Sequence, residues 1–423
     1  MSTASAPQRV TDSNPAPKSY EKFRLLVADR RFLRLWVALS QSNLGTIINL
    51  VALTLYVYDK TQSGAAVGTL QMAMVIPSIL VGLFAGIVVD RCDKKWVMVF
   101  ADLVRAVLFF GIALLPDIPL IYAVVFASSL TGLFFAPAYL SSLPLLIEKR
   151  HLMEANSLSE VTSQVAQIIG PGLAGIMYVQ WEFGLICALN AASFLISAAL
   201  IMTVDIPSKG TEERRWSGLK GTMGHIIEGF QHLRSNGVAK WVTLAGGGVH
   251  LGGGAIVVLM VMFVKNILHG SSATYGMIVT AMAVGSVCGA IATWFRRGLR
   301  ESAVLKGSFV VLGVAALFVS LSSAIWLALL LFAVMGLAQT TIGISVNTLL
   351  QQHLPAATLG RTFATIGVIT QVCRLVSTGA GGVAADVVGI RTVYILGSSI
   401  ILFTSLMVLR PISVLAAATG GKE

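Results

Sequence analysis

The chain has 423 residues, of which 56% are hydrophobic and 12% are charged, whereas a soluble protein carries roughly 25% charged residues. Residues 307–360 contain no Asp, Glu, Lys or Arg, which is enough for two membrane-spanning helices of about 20 residues each. This composition excludes a soluble globular protein, and the long continuous apolar runs exclude a β-barrel with its short alternating strands.

Hydropathy predicts twelve spans, and the net charge of +11 is distributed asymmetrically around them. On one side lie 25 of the 30 Lys and Arg residues, three lie on the other side, and two lie inside spans. This is the positive-inside distribution, so we expect a multi-pass protein of the cell inner (plasma) membrane with both termini in the cytoplasm. The basic charge therefore indicates orientation and no nucleic-acid partner. The predicted spans are 33–58, 64–89, 97–115, 119–147, 155–180, 183–204, 238–264, 272–295, 303–322, 324–349, 361–386 and 392–409.

The two halves of the chain repeat one another at offsets of 204 to 208 residues. Trp36-Val37-Ala38-Leu39 recurs as Trp241-Val242-Thr243-Leu244, and the glycine pair Gly172 and Gly175 recurs as Gly379 and Gly382. A duplicated apolar chain with both halves in the same orientation is typical of membrane transporters whose substrate site lies between the halves. We therefore predict an all-α fold of two pseudo-symmetric six-helix bundles. The predicted division is a cytoplasmic tail with a surface helix (1–32), an N-terminal bundle (33–204), a cytoplasmic linker (205–237), a C-terminal bundle (238–410) and a second tail (411–423).

The first span carries Asn43 and Asn49 among apolar residues. Polar side chains at membrane depth must face protein or water. We interpret both amides as candidates for the wall of a central cavity, and the alternative is that they only form hydrogen bonds between helices.

The connection after the second span, Gly86-Ile-Val-Val-Asp90-Arg91-Cys92-Asp93-Lys94-Lys95, is the most specific motif. It resembles the signature of the major facilitator superfamily, although Asp93 stands where that family has Gly. The resemblance implies twelve helices, transport by alternating access, and a cytoplasmic latch between the halves. The predicted latch residues are Gly86, Asp90, Arg91, Lys94, Lys95 and Arg105. The alternative interpretation of these charges is a simple positive-inside anchor.

The third span contains Asp102 and Arg105, whose spacing of three residues allows them to pair on one helix face. We predict that they form a structural pair near the latch, and Asp102 is also a candidate for proton coupling. Three short segments resemble the branch of the superfamily that holds siderophore, macrolide and other drug exporters. These segments are Asp102–Ala106, Glu154–Leu158 and Leu359–Phe363.

The fifth span carries two signals. Gly170, Pro171 and Gly175 resemble the motif of the antiporter branches, which implies export, although a kinked packing helix also explains them. Glu160, Gln164 and Gln167 follow one helix face. We predict that Glu160 exchanges a proton for the substrate, and the alternative is that its side chain only reaches cytoplasmic water.

The second half offers further polar groups at depth. His250 lies in a glycine-rich part of the seventh span, where the glycines weaken the helix and could form a gate, although a lone His is also explained by a simple hydrogen bond. The remaining cavity candidates are Gln339 and Asn347 in the tenth span and Gln371 and Arg374 in the eleventh. Together with the polar faces of the first half, they predict a wet cavity between the halves.

These features predict a secondary active transporter, proton-coupled, that exports a small amphipathic drug, antibiotic or siderophore-like metabolite. The alternatives are uptake or lipid movement by the same fold, or a polytopic membrane protein without transport. We expect no enzyme, because none of the six His residues has a metal or nucleophile spacing, and no cofactor or metal, because the four Cys are scattered and there is no P-loop. The expected partners are a small-molecule substrate, protons and the lipid bilayer, and the expected state is a monomer.

Overall fold

The computed structural model describes residues 29–148, 151–207, 236–295, 301–354 and 356–419. Within these residues all the regular structure is helical, and twelve long helices follow one another. Most of the predicted N-terminal tail and linker, and the last four residues, lie outside the described residues. The helices are α1 (Arg30–Thr61), α2 (Gly64–Arg91), α3 (Lys94–Leu114), α4 (Ile118–Leu146), α5 (Leu152–Gln180), α6 (Phe183–Met202), α7 (Gly237–Val258), α8 (Ser272–Phe295), α9 (Glu301–Leu321), α10 (Ile325–His353), α11 (Ala356–Val388) and α12 (Ile390–Thr419).

Eleven of these helices are long and apolar enough to cross a membrane. The exception is α5, because Glu160 and the glutamines that follow it lower its hydropathy. Large apolar side chains are exposed on the outer faces, as Phe100, Val107 and Phe110 are on α3, which suits a surface that lies against lipid. The predicted all-α membrane fold with twelve helices is confirmed.

Short polar segments set the helix boundaries. The Asp29 carboxylate accepts backbone hydrogen bonds from Arg31 and Phe32 at the start of α1, and Asn236 accepts one from Ala239 at the start of α7. At the far end of α7, the helix continues through a short segment into a π-helical turn at Phe263–Ile267.

The helices pack in the same pairwise pattern in each half. In the first half α1 packs on α5 and α6, α4 packs on α2 and α3, and α3 packs on α6. Each of these pairs has its counterpart six helices later: α7 with α11 and α12, α10 with α8 and α9, and α9 with α12. This is the packing that a duplicated chain predicts. The residue bounds of the two bundles stay a prediction.

The halves meet mainly through two crossings, α5 with α8 and α2 with α11. The closest contacts of both crossings lie toward one end of the helices, where Gln62 and Ser63 join α1 to α2. We call this the sealed end and the opposite end the open end. One continuous hydrophobic core runs through both halves and includes the sealed end of α1, whereas the open end of the first half has a separate core around Phe32, Met98 and Phe135.

Candidate functional site: a polar cavity between the two halves

The crossing of α5 and α8 is built on glycine. A Cβ atom placed at Gly276 of α8 would collide with the backbone carbonyl oxygen of Pro171 and lie 3.2 Å from the Cα atom of Gly175. One turn further toward the open end, the Thr280 hydroxyl donates a hydrogen bond of 2.9 Å to the carbonyl oxygen of Ile168. The predicted antiporter-like motif therefore lies at an interface between the halves, with Gly170 packed instead on Ile47 of α1.

The crossing of α2 and α11 repeats this arrangement. Gly64 packs on Gly382, and a Cβ atom at Gly68 would lie 3.0 Å from the carbonyl oxygen of Thr378. Gly82 lies on the same face of α2 but about 21 Å further along the helix, at a rise of about 1.5 Å per residue. A Cβ atom at Gly82 meets no atom within 4 Å. The two helices therefore separate toward the open end and leave a cavity between the halves.

We expect Gly276→Val to destabilise the protein by about 1–3 kcal/mol, because the added side chain overpacks the α5–α8 crossing. Gly82→Val is the matched control, since it makes the same chemical change where a Cβ atom has free space. The midpoint of thermal unfolding in detergent should fall clearly for the first variant and little for the second. Equal shifts would show that the crossing is not tightly packed.

A polar network joins the halves at the sealed end. The Asp386 carboxylate of α11 accepts hydrogen bonds from the Ser63 hydroxyl at 2.6 Å, the Gly64 backbone N–H at 2.7 Å and the Ala65 backbone N–H at 3.1 Å. It thus caps the positive end of α2 in the other half. Beside it, Lys265 forms an ion pair with Asp59 at 3.2 Å.

We expect Asp386→Asn to weaken this closure, because the amide can accept fewer of the three hydrogen bonds and carries no charge. Losing a cap costs about 0.5–2 kcal/mol, which corresponds to a rise of about 2- to 30-fold in the population open at this end. Electron-spin distance measurements between labels at Leu115 and Thr392, in a chain whose four native cysteines are replaced, would report that population.

The control is Asp117→Asn, because Asp117 precedes α4 at the same end but makes no side-chain cap hydrogen bond. If both variants leave the distance distribution unchanged, the Asp386 contact does not hold the halves together.

The polar stripe of α5 faces the cavity. At 3.6 residues per turn, Glu160, Gln164 and Gln167 share an arc of about 60°. This arc lies between the face that packs on α1 and the face that packs on α8, and roughly opposite the exposed apolar residues. Those apolar residues are Val165, Ile169, Leu173 and Ile176. The stripe therefore points to the space between the halves, and the Gln164 amide donates a hydrogen bond of 2.8 Å to Glu160.

The stripe of α11 faces the same space. Arg374 and Gln371 lie between the face that packs on α7 and the face that packs on α2, and away from exposed Val372, Val376 and Val383. The nearby Gly367 shares this arc, and a Cβ atom placed there meets no atom within 4 Å. Arg374 is thus a cationic group on the wall opposite Glu160.

A cavity of about 660 Å³ lies between α1, α4 and α5, on the first-half wall of this space. Its lining includes the Glu160 carboxylate, hydroxyl groups, one amide and apolar side chains, a mixture that suits an amphipathic molecule. The Tyr139 and Ser159 hydroxyls are hydrogen-bonded at 2.8 Å and join α4 to α5. The lining residues are Leu39, Tyr139, Leu140, Asn156, Ser157, Ser159, Glu160, Val161 and Ser163.

The other predicted cavity residues differ in their surroundings. Asn43 donates a hydrogen bond of 3.3 Å to Ser163, which lines the cavity, whereas Asn49 is 1% exposed. The ring of half-buried His250 lies 2.8 Å from the carbonyl oxygen of Gly246 on its own helix. Gln339 and Asn347 are exposed on α10. The structure therefore brings Asn43 to the Glu160 wall, whereas the Asn49 side chain is buried.

Asp102 and Arg105 pair inside the first half, away from the cavity wall. The guanidinium donates a hydrogen bond of 2.9 Å to the Asp102 carboxylate, which is 1% exposed. The Arg105 Cζ atom lies 4.9 Å from the ring centre of Phe135 and 4.7 Å from that of Phe194. The Asp102 carboxylate is thus already paired with a guanidinium. Of the two proton-coupling candidates, Glu160 is therefore the one whose carboxylate forms no ion pair in the described part of the chain.

The predicted latch lies at the open end. The surroundings of Gly86 and of the Asp90 side chain lie outside the described part of the structure. Arg91 is exposed at the end of α2, and Lys94 and Lys95 begin α3. Asp93, which departs from the family signature, accepts backbone hydrogen bonds from Lys95 at 3.0 Å and Trp96 at 3.3 Å. The carboxylate therefore caps α3 where the signature has glycine, and the latch itself stays a prediction.

The sequence interpretation missed the polar network of the sealed end. Asp59, Lys265 and Asp386 sit at those ends of the predicted spans that face the side with three of the 30 Lys and Arg residues. The low number of charged residues on that side could have indicated this network, since an isolated charge at the membrane border needs a partner or water.

Comparisons with known proteins agree with this architecture. Residues 35–378 match the family described as Major Facilitator Superfamily. Macrolide efflux protein A of Streptococcus pyogenes is 22% identical over 88% of this chain and 93% of its own length. The enterobactin exporter EntS of Citrobacter koseri is 26% identical over 74% of each chain. The MFS-type transporter YkuC of Bacillus subtilis is 29% identical over a match that spans about half of each chain.

The crystal structure of the nucleoside transporter NupG superposes with a TM-score of 0.69, at 14% identity, over 90% of this chain and 98% of that one. At this identity the likeness concerns the fold alone. The family match covers most of the sequence, and the twelve helices pack as two repeated halves around a polar cavity. The chain therefore belongs to the Major Facilitator Superfamily, a family of membrane transporters and not of enzymes.

Proposed function

We propose that this transporter exports small amphipathic molecules from the cytoplasm in exchange for protons. The observation that carries the proposal is the position of Glu160, an exposed carboxylate on the cavity wall. Within the described residues, its one hydrogen bond comes from the neutral amide of Gln164. A carboxyl group in this position can bind and release a proton without breaking an ion pair.

The orientation of the cavity supports loading from the cytoplasm. The connections rich in Lys and Arg lie at the open end, including Arg91 and Lys94, and the three isolated basic residues lie at the sealed end. By the positive-inside rule the open end faces the cytoplasm, so the structure corresponds to an inward-open state in the plasma membrane. The residues that line the cavity all belong to one chain, which supports a monomer as the transporting unit.

The cycle follows from these positions. In the inward-open state Glu160 releases its proton to the cytoplasm, and a substrate enters the cavity from the same side. The halves then rock about the α5–α8 and α2–α11 crossings, which opens the sealed end and closes the other. On the outside the substrate leaves, Glu160 takes up a proton, and the protonated protein returns to the inward-open state.

The names of two relatives support the direction and the class of substrate. One is a macrolide efflux protein and the other an enterobactin exporter, a drug-type and a siderophore-type activity respectively. The mixed lining of the 660 Å³ cavity, with one carboxylate among hydroxyl and apolar groups, fits molecules of this amphipathic kind.

Inside-out membrane vesicles test the proposal. With an acidic interior, vesicles that contain the protein should accumulate a radiolabelled macrolide, and a protonophore should abolish the accumulation. Vesicles without the protein provide the baseline. Accumulation that ignores the pH gradient would exclude proton coupling, and proton-driven loss of the macrolide from loaded vesicles would indicate uptake.

A further inference from the structure

We infer that the substrate carries an anionic group, a carboxylate, which Arg374 binds at the deepest part of the cavity, together with a cationic group that lies toward Glu160. The inference deepens the proposed function and rests on it for the identity of the cavity as the substrate site. It predicts a zwitterionic amphiphile as the preferred substrate.

Arg374 lies at the ceiling of the space between the two halves, outside the 660 Å³ cavity beside Glu160, whose lining residues belong to α1, α4 and α5. One helical turn closer to the sealed end, Thr378 contacts Gly68 of α2 and begins the close crossing of the two halves. On the open side of Arg374, Gly367 borders free space. The guanidinium therefore stands immediately below the closure, where a molecule that enters from the open end stops.

No group in the described part of the chain neutralises this guanidinium. Neither a hydrogen bond nor an ion pair reaches it there, and α7 and α8 contain no acidic residue. A charge at membrane depth costs about 2.5–3.5 kcal/mol on the insertion scale. A carboxylate from the substrate would offset that cost through two parallel charge-assisted hydrogen bonds.

The repeat shows that the fold does not need a charge here. The glycine offset of 207 residues, which relates Gly172 to Gly379, makes Gln167 the counterpart of Arg374 in the first half. The two positions occupy equivalent places on helices that pack in equivalent ways. Because an uncharged amide occupies this position in one half and a guanidinium in the other, helix packing does not require the positive charge. The charge of Arg374 therefore needs another explanation, which a ligand in the cavity provides.

The two charged groups also differ in depth. Glu160 lies seven residues before Gln167, which places it about 10 Å closer to the open end than the level of Arg374. The cavity between the halves therefore offers an anion-binding group, Arg374, at the ceiling of one wall and a cation-binding group, Glu160, lower on the other wall. A molecule whose carboxylate points to the ceiling and whose cationic group lies below it would match both.

Two fluorescent dyes of nearly equal size test the inference. Rhodamine B has a free carboxylate and a cationic ring system, and rhodamine 6G is a cationic ethyl ester. The purified full-length protein should bind rhodamine B about 10- to 100-fold more tightly, as expected for a hydrogen bond to a charged group. Fluorescence anisotropy at one pH and without a gradient gives both dissociation constants.

Arg374→Gln, which installs the residue of the other half, should bring the two affinities within about threefold. Arg374→Lys keeps the charge and should retain part of the preference. Arg391→Gln is the control, because Arg391 lies at the sealed end and donates a hydrogen bond to Ser323. An unchanged size-exclusion profile would show that the variants fold.

Equal affinities in the wild type, binding of neither dye, or an unchanged preference in Arg374→Gln would overturn the inference. These outcomes are separate from a failure of the proposed function, because the measurement involves no gradient and no transport. If the protein exports macrolides but binds the two dyes equally well, the proposed function is supported and the carboxylate site at Arg374 is excluded.

Discussion

Asp102→Ala is expected to lower the free energy of unfolding by about 3–5 kcal/mol, the cost of removing one partner of a buried ion pair. The carboxylate is 1% exposed, and Arg105 is 13% exposed. Arg105 is held between two aromatic rings and cannot turn to water without leaving them. The truncation therefore strands a buried charge.

Unfolding by SDS in mixed micelles would measure this cost. Asp205→Ala is the control, since Asp205 is an exposed carboxylate just after α6. The double variant Asp102→Leu with Arg105→Met should recover most of the lost stability, because apolar replacement of a whole buried pair is often neutral. A loss below about 1 kcal/mol for Asp102→Ala, as for an exposed pair, would mean that water reaches the pair.

The sequence predicts the helices of this protein well because lipid imposes a simple rule on them. A span needs about 20 apolar residues with every backbone group hydrogen-bonded internally, so hydropathy finds the helices, and the repeat of Trp36 at Trp241 reveals the duplication. Even α5, whose polar stripe lowers its hydropathy, is evident from its periodicity. The pairing of Asp102 with Arg105 is predictable for a similar reason, since both residues lie on one helix three positions apart.

Contacts between the halves cannot be predicted from the sequence patterns, because they depend on how the two bundles dock. The bonds of Asp386 to the start of α2 join residues more than 320 positions apart. Helix periodicity shows that a face is polar but not which neighbour covers it. Asn43 and Asn49 both suit a cavity wall by sequence, and Asn49 is buried in the structure.

The crossings suggest why closure at the sealed end is reversible. Both crossings place backbone against backbone through small residues such as Gly276 and Gly382, and no long side chains interlock at these glycines. In lipid, such faces pack closely without a hydrophobic driving force. The polar contacts of Asp59 and Asp386 then add directional hydrogen bonds and an ion pair that water can replace, so the two states can lie close in free energy.

Glu160→Gln is expected to abolish proton-driven accumulation of substrate in inside-out vesicles, down to the level of vesicles without the protein. The amide cannot exchange a proton, but it has nearly the same shape and can still form a hydrogen bond with Gln164, so the fold should be preserved. Exchange of labelled for unlabelled substrate without a gradient should persist. It should need a higher substrate concentration, because the cationic group of the substrate loses its carboxylate partner.

The control for this experiment is Glu182→Gln. Glu182 is also exposed, but it precedes α6 at the sealed end and makes no side-chain cap hydrogen bond there. Its replacement should leave both accumulation and exchange at wild-type levels. If Glu160→Gln still accumulates substrate against its gradient, the proton is carried by another group. If the variant loses exchange as well as accumulation, Glu160 is required for substrate binding, and the loss of accumulation then gives no support to a coupling role.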